Sequence, residues 1–165
     1  GEEPEEETEV KVDLPVDAHL PLEYIGSERL RLEMYRKLAA ARSNEALDEV
    51  TAEMRDRYGE PPAEVANLIA VARMRLLIKT YGLTDVSLQG RHIRFGPLAL
   101  PDSKQMRLKR LYPDAVDKQA TDTVSLPRPM TARVGGQPMR DTALLDWAAE
   151  LLRSVLGDPV PATAG

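Results

Sequence analysis

Apolar residues recur with helical spacing through the first half of the chain and with alternating spacing through much of the second. Leu30, Met34, Leu38 and Ala41 fall on one side of a segment that Ser27 can cap and that runs to about Arg42. Leu47, Val50, Met54 and Tyr58 repeat the pattern behind a cap at Ser43 or Asn44, and Gly59 with Pro61 and Pro62 ends it. A third helix, about Ala63–Tyr81, stops at Gly82. Its Val65, Leu68, Ile69, Ala72, Leu76 and Ile78 form a broad stripe, expected of the most buried helix. Turns this short should hold the three helices in a compact bundle.

After Gly82 the period changes. Val86–Leu88 and His92–Phe95 alternate around Gly90 and predict a small hairpin. Pro101 to Leu111 holds a short helix opened by Asp102 or Ser103. Ala115–Gln119 and Thr123–Leu126 predict a second hairpin, and the Pro- and Gly-rich Arg128–Pro138 a loop. A last helix, about Asp141–Leu156, turns Leu144, Leu145, Ala148, Leu152 and Val155 inward and ends at Gly157. Upstream, Val10–Leu14 reads as an edge-like strand stopped by Pro15, and Asp17–Gly26 as an irregular segment anchored by Leu22 and Ile25. The sum is an α+β domain over residues 10–157: an N-terminal bundle of about three helices, a small antiparallel sheet and a closing C-terminal helix. Residues 1–9 read as an acidic flexible linker and 158–165 as a disordered tail.

Composition narrows what such a domain can do. At 165 residues, with 42% hydrophobic and 30% charged residues, the chain reads as one soluble globular domain. It holds no Cys, so disulfides, Cys-ligated metal and thiol chemistry are excluded, which suits a reducing cytoplasm. No apolar run approaches the roughly 20 residues of a membrane span, and no signal-peptide pattern opens the chain. The leading Gly before an acidic tract suggests a piece of a longer protein. The formal charge of −5 conceals a net −9 over residues 1–60 and +5 over 103–140. The acidic front favours a basic protein surface over nucleic acid as its main partner.

The sharpest feature lies within Ser43–Pro62. At roughly 100° per residue, Glu45, Glu49, Glu53 and Asp56 line up about 150° from the apolar side of their helix. Glu45–Glu49 and Glu49–Glu53 are like-charged i,i+4 pairs, each costing a few tenths of a kcal/mol. A solvated helix exterior is the plain reading, and a docking face for partner Arg residues the functional one. Catalytic motifs are missing. No phosphate-binding Gly loop occurs, and Gly135-Gly136 has no Lys behind it. His19 and His92 lie in different segments without a nearby acid at ligand spacing. Paired carboxylates on an open helix face lack the cleft that acid–base catalysis needs. No catalytic, cofactor or metal site is expected.

The basic region 104–118 supplies a second possibility. Within Met106–Tyr112, Met106 and Leu108 or Leu111 should face inward, leaving Arg107, Lys109 and Arg110 to touch phosphates or to lie over the core. Trp147, in an apolar helix, reads as core.

An ordered set of short motifs resembles the C-terminal domain of the bacterial transcription-repair coupling factor family. The set begins with Val12-Asp13-Leu14-Pro15, His19-Leu20-Pro21, Tyr24-Ile25, Arg29-Leu30 and Tyr35-Arg36-Lys37-Leu38-Ala39. It continues through Glu53-Met54-Arg55-Asp56-Arg57-Tyr58-Gly59, Pro61-Pro62, Asn67-Leu68, Ala72-Arg73 and Tyr81-Gly82-Leu83. It covers about Val10 to Phe95 closely. From Gly96 to Leu156 only the order of elements agrees, and Arg128–Pro138 departs from the pattern. The resemblance implies a non-catalytic regulatory module of a cytoplasmic DNA translocase. That translocase removes stalled RNA polymerase and recruits nucleotide excision repair. RNA polymerase, UvrA, DNA, ATP and Mg belong to its other domains. It further implies that this domain masks the UvrA-binding module of the same polypeptide, through acids that here are Glu53 and Asp56. Glu49 and Glu45 extend that surface by geometry alone. Two alternatives stand beside it: an independent interaction domain with a basic partner, and a weak nucleic-acid contact through 104–118.

Overall fold

The computed structural model describes residues 9–159. The expected acidic linker, Glu9 apart, and the expected tail beyond Pro159 lie outside those residues. In chain order the elements are β1 (Lys11–Asp13), α1 (Glu28–Ala40), α2 (Asn44–Tyr58), α3 (Ala63–Thr80), β2 (Asp85–Gln89) and β3 (His92–Gly96). They are followed by α4 (Asp102–Leu111), β4 (Val116–Lys118), β5 (Thr123–Pro127) and α5 (Asp141–Leu156). Ser27 and Ser43 cap α1 and α2 by accepting hydrogen bonds from the amides of Leu30 and Ala46. Gly59, at φ 88°, lets the chain leave α2 in a conformation that a side chain would strain.

Helix α3 is apolar on two sides because it divides two cores. Val65 and Ile69 pack into a front cluster with Leu20, Ile25, Met34, Leu38, Leu47 and Met54. One turn further on, Val71, Met74 and Ile78 enter the larger rear cluster, with Phe95, Ile93 and Val124 from the sheet and Leu144, Ala148, Leu151 and Leu152 from α5. The single stripe read from the sequence therefore omits Asn67, Val71 and Met74, all buried on the other flank. Trp147 packs at 6.1 Å from Phe95 and 6.5 Å from Tyr112, as core.

The five strands form one sheet in the order β1-β2-β3-β5-β4. Its pairings are antiparallel except that β1 runs parallel to β2, with Val12 beside Val86. Long-range pairing of this kind leaves no trace in local periodicity. Alternation turns Val86, Ile93, Phe95, Val124 and Leu126 toward the helices. In α4 only Leu108 is buried. Leu108, and not its alternative Leu111 (43% exposed), faces inward, whereas Met106 is 74% exposed, against the expectation that it is turned to the core. Met106 lies about 200° around the helix from Leu108, so both cannot reach one core.

The irregular stretch before α1 is tied down at several points. Asn67 Nδ2 donates to the carbonyl of Asp17 at 2.9 Å, the Leu20 amide to the hydroxyl of Tyr35 at 2.8 Å, and Arg31 to the carbonyl of Ile25 at 2.7 Å. The segment 129–138 is a loop, as expected, yet an ordered one. Met130 bridges Pro138, the Thr131 amide donates to Gln137, and the Arg128 guanidinium grips the Met139 carbonyl. The result is a finger that carries Val134 at its tip, 91% exposed.

Candidate functional site: the acidic face of the second helix

Helix α2 presents its four acids as the spacing requires, but they are not equivalent. Leu47 and Met54 are fully buried on one side, which fixes the rotation of the helix. At roughly 100° per residue, Glu45, Asp56 and Glu49 then lie within about 40° of one another on the opposite side. All three are exposed, and none makes an ion pair among the described residues. Glu53 stands on the flank of this row, turned toward α1, and is half-buried.

That flank is a closed charge cluster. Lys37 Nζ of α1 donates to both carboxylate oxygens of Glu53 at 2.9 Å. Arg57, one turn along α2, reaches Glu53 Oε2 at 3.3 Å, and Glu33 lies 3.6 Å from the same Lys37. The Lys37 hydrogen bond holds the Glu53 carboxyl below the usual carboxylate range against a smaller opposing push from desolvation. The same bond raises Lys37 above the usual lysine range. The two directions agree. The repulsion expected between Glu49 and Glu53 is thus offset by cations, one from another helix and one at i+4. Arg57 stands at a spacing that the sequence displays; Lys37, sixteen residues upstream, does not.

The other flank of α2 is tied to α3. Arg73 pairs with Asp48 and donates to Oδ1 of Asn44 at 3.0 Å. At the C-terminal end, the Tyr24 hydroxyl bonds the Gly59 carbonyl at 2.8 Å, and Tyr24 and Tyr58 meet edge to face at 5.8 Å. Arg57 also lies over the Tyr58 ring, 5.1 Å from its centre. The acidic row is therefore displayed on a helix fixed at its core face, both flanks and its end.

Elsewhere the chemistry is sparse. His19 Nδ1 lies 2.9 Å from Asp17 Oδ1, so an acid does stand beside it, two residues upstream, contrary to the sequence reading. Both are exposed. Among the described residues no group of three His, Cys, Asp or Glu is placed to hold a metal ion. No helix there is long and apolar enough to cross a membrane. Of the α4 cations within Met106–Tyr112, Arg107 and Arg110 are exposed, while Lys109 donates to the Ala115 carbonyl at 2.9 Å and so ties α4 to the start of β4.

The comparisons with known proteins agree with one another. The TRCF domain family matches residues 14–108. The transcription-repair-coupling factors of Mycobacterium bovis and Mycobacterium tuberculosis are each 47% identical over 156 residues, 94% of this chain and 13% of the relative. That of Staphylococcus aureus is 36% identical over 92 residues, 55% of this chain and 8% of the relative. This chain thus spans about an eighth of the mycobacterial relatives' length. A crystal structure of the C-terminal domain of transcription-repair coupling factor superposes with a TM-score of 0.68 at 19% identity, covering 90% of this chain and 92% of that one. It shares the α+β fold. With the family match running from Leu14 to Leu108, more than half of its length, the chain belongs to the TRCF domain family.

Proposed function

We propose that this chain is a non-catalytic regulatory module of a transcription-repair coupling factor, and that it masks the UvrA-binding module of the same polypeptide. The parent protein would be the ATP-driven DNA translocase that clears stalled RNA polymerase. Contacts with polymerase, UvrA, DNA, ATP and Mg would belong to its other domains, in the cytoplasm.

One observation carries this reading. Glu45, Glu49 and Asp56 form an exposed row of carboxylates, unpaired among the described residues, on a helix that four sets of contacts hold still. Such a row can accept arginine side chains without first reorganising, which lowers the ordering cost of binding. Glu53 borders it. Charge-assisted bonds to Arg are stronger than neutral ones, but exposed pairs contribute at most about 1 kcal/mol each. The contact is accordingly modest. Covalent linkage compensates by raising the effective concentration of the mask, and release is a shift between closed and open populations.

Calorimetric titration of the isolated UvrA-binding module into this domain tests the reading. The parent chain should bind in the micromolar range, and a Glu49→Ala/Asp56→Ala double variant with unchanged circular dichroism should bind at least tenfold more weakly. Equal affinity of parent and variant would remove the acidic row from the interface. Absence of binding by the parent even at millimolar concentration, the effective concentration that a short tether supplies, would overturn the proposed mask.

A further inference from the structure

Glu53 differs from its neighbours in one respect that bears on how a mask opens. Both of its oxygens are already engaged: Lys37 Nζ donates to Oε1 and Oε2 at 2.9 Å, and Arg57 reaches Oε2 at 3.3 Å. Those bonds span two helices, since Lys37 belongs to α1 and Glu53 to α2. A partner arginine approaching the acidic row meets Glu49 and Asp56 open, but finds Glu53 occupied. A carboxylate offers about four lone-pair sites, so a fork-shaped bidentate contact needs Lys37 to withdraw.

We infer that Lys37 is a built-in competitor for the partner's arginine, and that the mask closes on Glu53 by exchanging one cation for another. This inference rests on the proposed mask and adds a residue that sets its strength. Lys37 is suited to the part. Its ammonium is a single point charge on a flexible stem, it is itself half-buried, and Glu33 at 3.6 Å offers it a second carboxylate when Glu53 is taken. The exchange leaves no charge unpaired: Lys37 moves to Glu33, the arginine takes Glu53, and Arg57 keeps its place over Tyr58. Because one ion pair is lost for each one formed, Glu53 adds little net affinity. A latch that a motor must open repeatedly gains from such a balance.

The test is a double-mutant cycle on binding to the UvrA-binding module. Lys37→Met keeps the aliphatic stem and frees Glu53; the expected affinity is three- to tenfold higher than the parent's. In a Glu53→Gln background the same change should leave affinity within twofold, because nothing remains to be freed. An exposed cation outside the cluster, Arg36→Met, supplies the control for a general change of net charge. A rise with Lys37→Met that persists in the Glu53→Gln background would overturn the exchange and reduce Lys37 to a long-range charge. A fall would overturn it too, making Lys37 a support that holds Glu53 in place. Absence of parental binding is the separate result that defeats the mask itself. Circular dichroism and the midpoint of urea unfolding establish that each variant is folded.

Discussion

The hydroxyl of Tyr24 and the carbonyl of Gly59 lie 2.8 Å apart, joining the irregular segment before α1 to the residue that ends α2. The Met54 carbonyl shares the same proton at 3.2 Å. Gly59 lies past the last helical turn, where a carbonyl has no donor within the helix, and the phenol supplies one. Burial raises the Tyr24 phenol above its ordinary value, with the Glu60 charge adding to the shift, so the proton is retained at neutral pH. Tyr24→Phe removes only this hydroxyl. The expected loss is about 1 kcal/mol, read as a lower urea midpoint with an unchanged slope. An unchanged midpoint would mean that water serves the carbonyl equally well.

The Lys37–Glu53 pair carries a pH dependence whose sign is fixed by the direction of the shift. The Glu53 carboxyl titrates below its ordinary value near 4.5 in the folded chain. Its contribution is therefore complete above that value and is lost as pH falls through the folded one. Lys37 is shifted upward from an ordinary value of 10.5, so its share persists through neutrality and disappears only in strong alkali. Glu53→Gln should accordingly be less stable than the parent at pH 7, with the gap closing as pH falls below the ordinary value of 4.5 and through the folded one. Urea unfolding of both chains across that range checks it. A gap that stays constant into acid would assign the loss to packing and not to charge.

Asn67 anchors the same irregular segment from the opposite side. It is a polar residue buried in α3, and its amide donates to the Asp17 carbonyl at 2.9 Å. Asn67→Ala leaves that carbonyl without its partner and opens a small void, for an expected cost of about 1–3 kcal/mol. Amide exchange should accelerate most around residues 17–25 and little in the sheet. Uniform acceleration through both cores would contradict this local assignment.

What the sequence disclosed and what it withheld divide along one physical line. Elements whose signals are local were legible. Ser27 and Ser43 cap helices where expected, α5 spans Asp141–Leu156 as read, and the hairpin about Gly90 forms. Relations between distant residues were not legible. The parallel pairing of Val12 with Val86 and the insertion of β5 between β3 and β4 depend on contacts that no window of the sequence contains. The acidic row shows the same division within one site. Periodicity placed Glu45, Glu49, Glu53 and Asp56 on one helix side, whereas the difference between Glu53 and the rest comes from Lys37 in another helix. Met106 illustrates a third case: an apolar residue facing water is indistinguishable, by composition, from one facing the core.

The finger at 129–138 offers a clean separation between two adjacent glycines. Gly135 has φ 70° and open space, free of other atoms to 4 Å, where a Cβ would stand, so a side chain there meets backbone strain and no collision. At Gly136 an added Cβ would sit 2.5 Å from both the amide nitrogen and the carbonyl oxygen of Ala132, and backbone cannot swing aside as a side chain can. Gly135→Ala should therefore keep the finger closed at a cost of about 1–2 kcal/mol, whereas Gly136→Ala should break the approach of residues 132 and 136. Trypsin reports the difference, because Arg133 lies at the exposed tip and a protease needs the chain locally open. Cleavage after Arg133 should be several-fold faster in Gly136→Ala than in the parent, with Gly135→Ala in between. The core should be spared, since no residue of 129–138 belongs to either buried cluster and only Met139, at the base, packs against the rear one. Equal cleavage rates for the two variants would show that the close contact at Gly136 does not hold the finger shut.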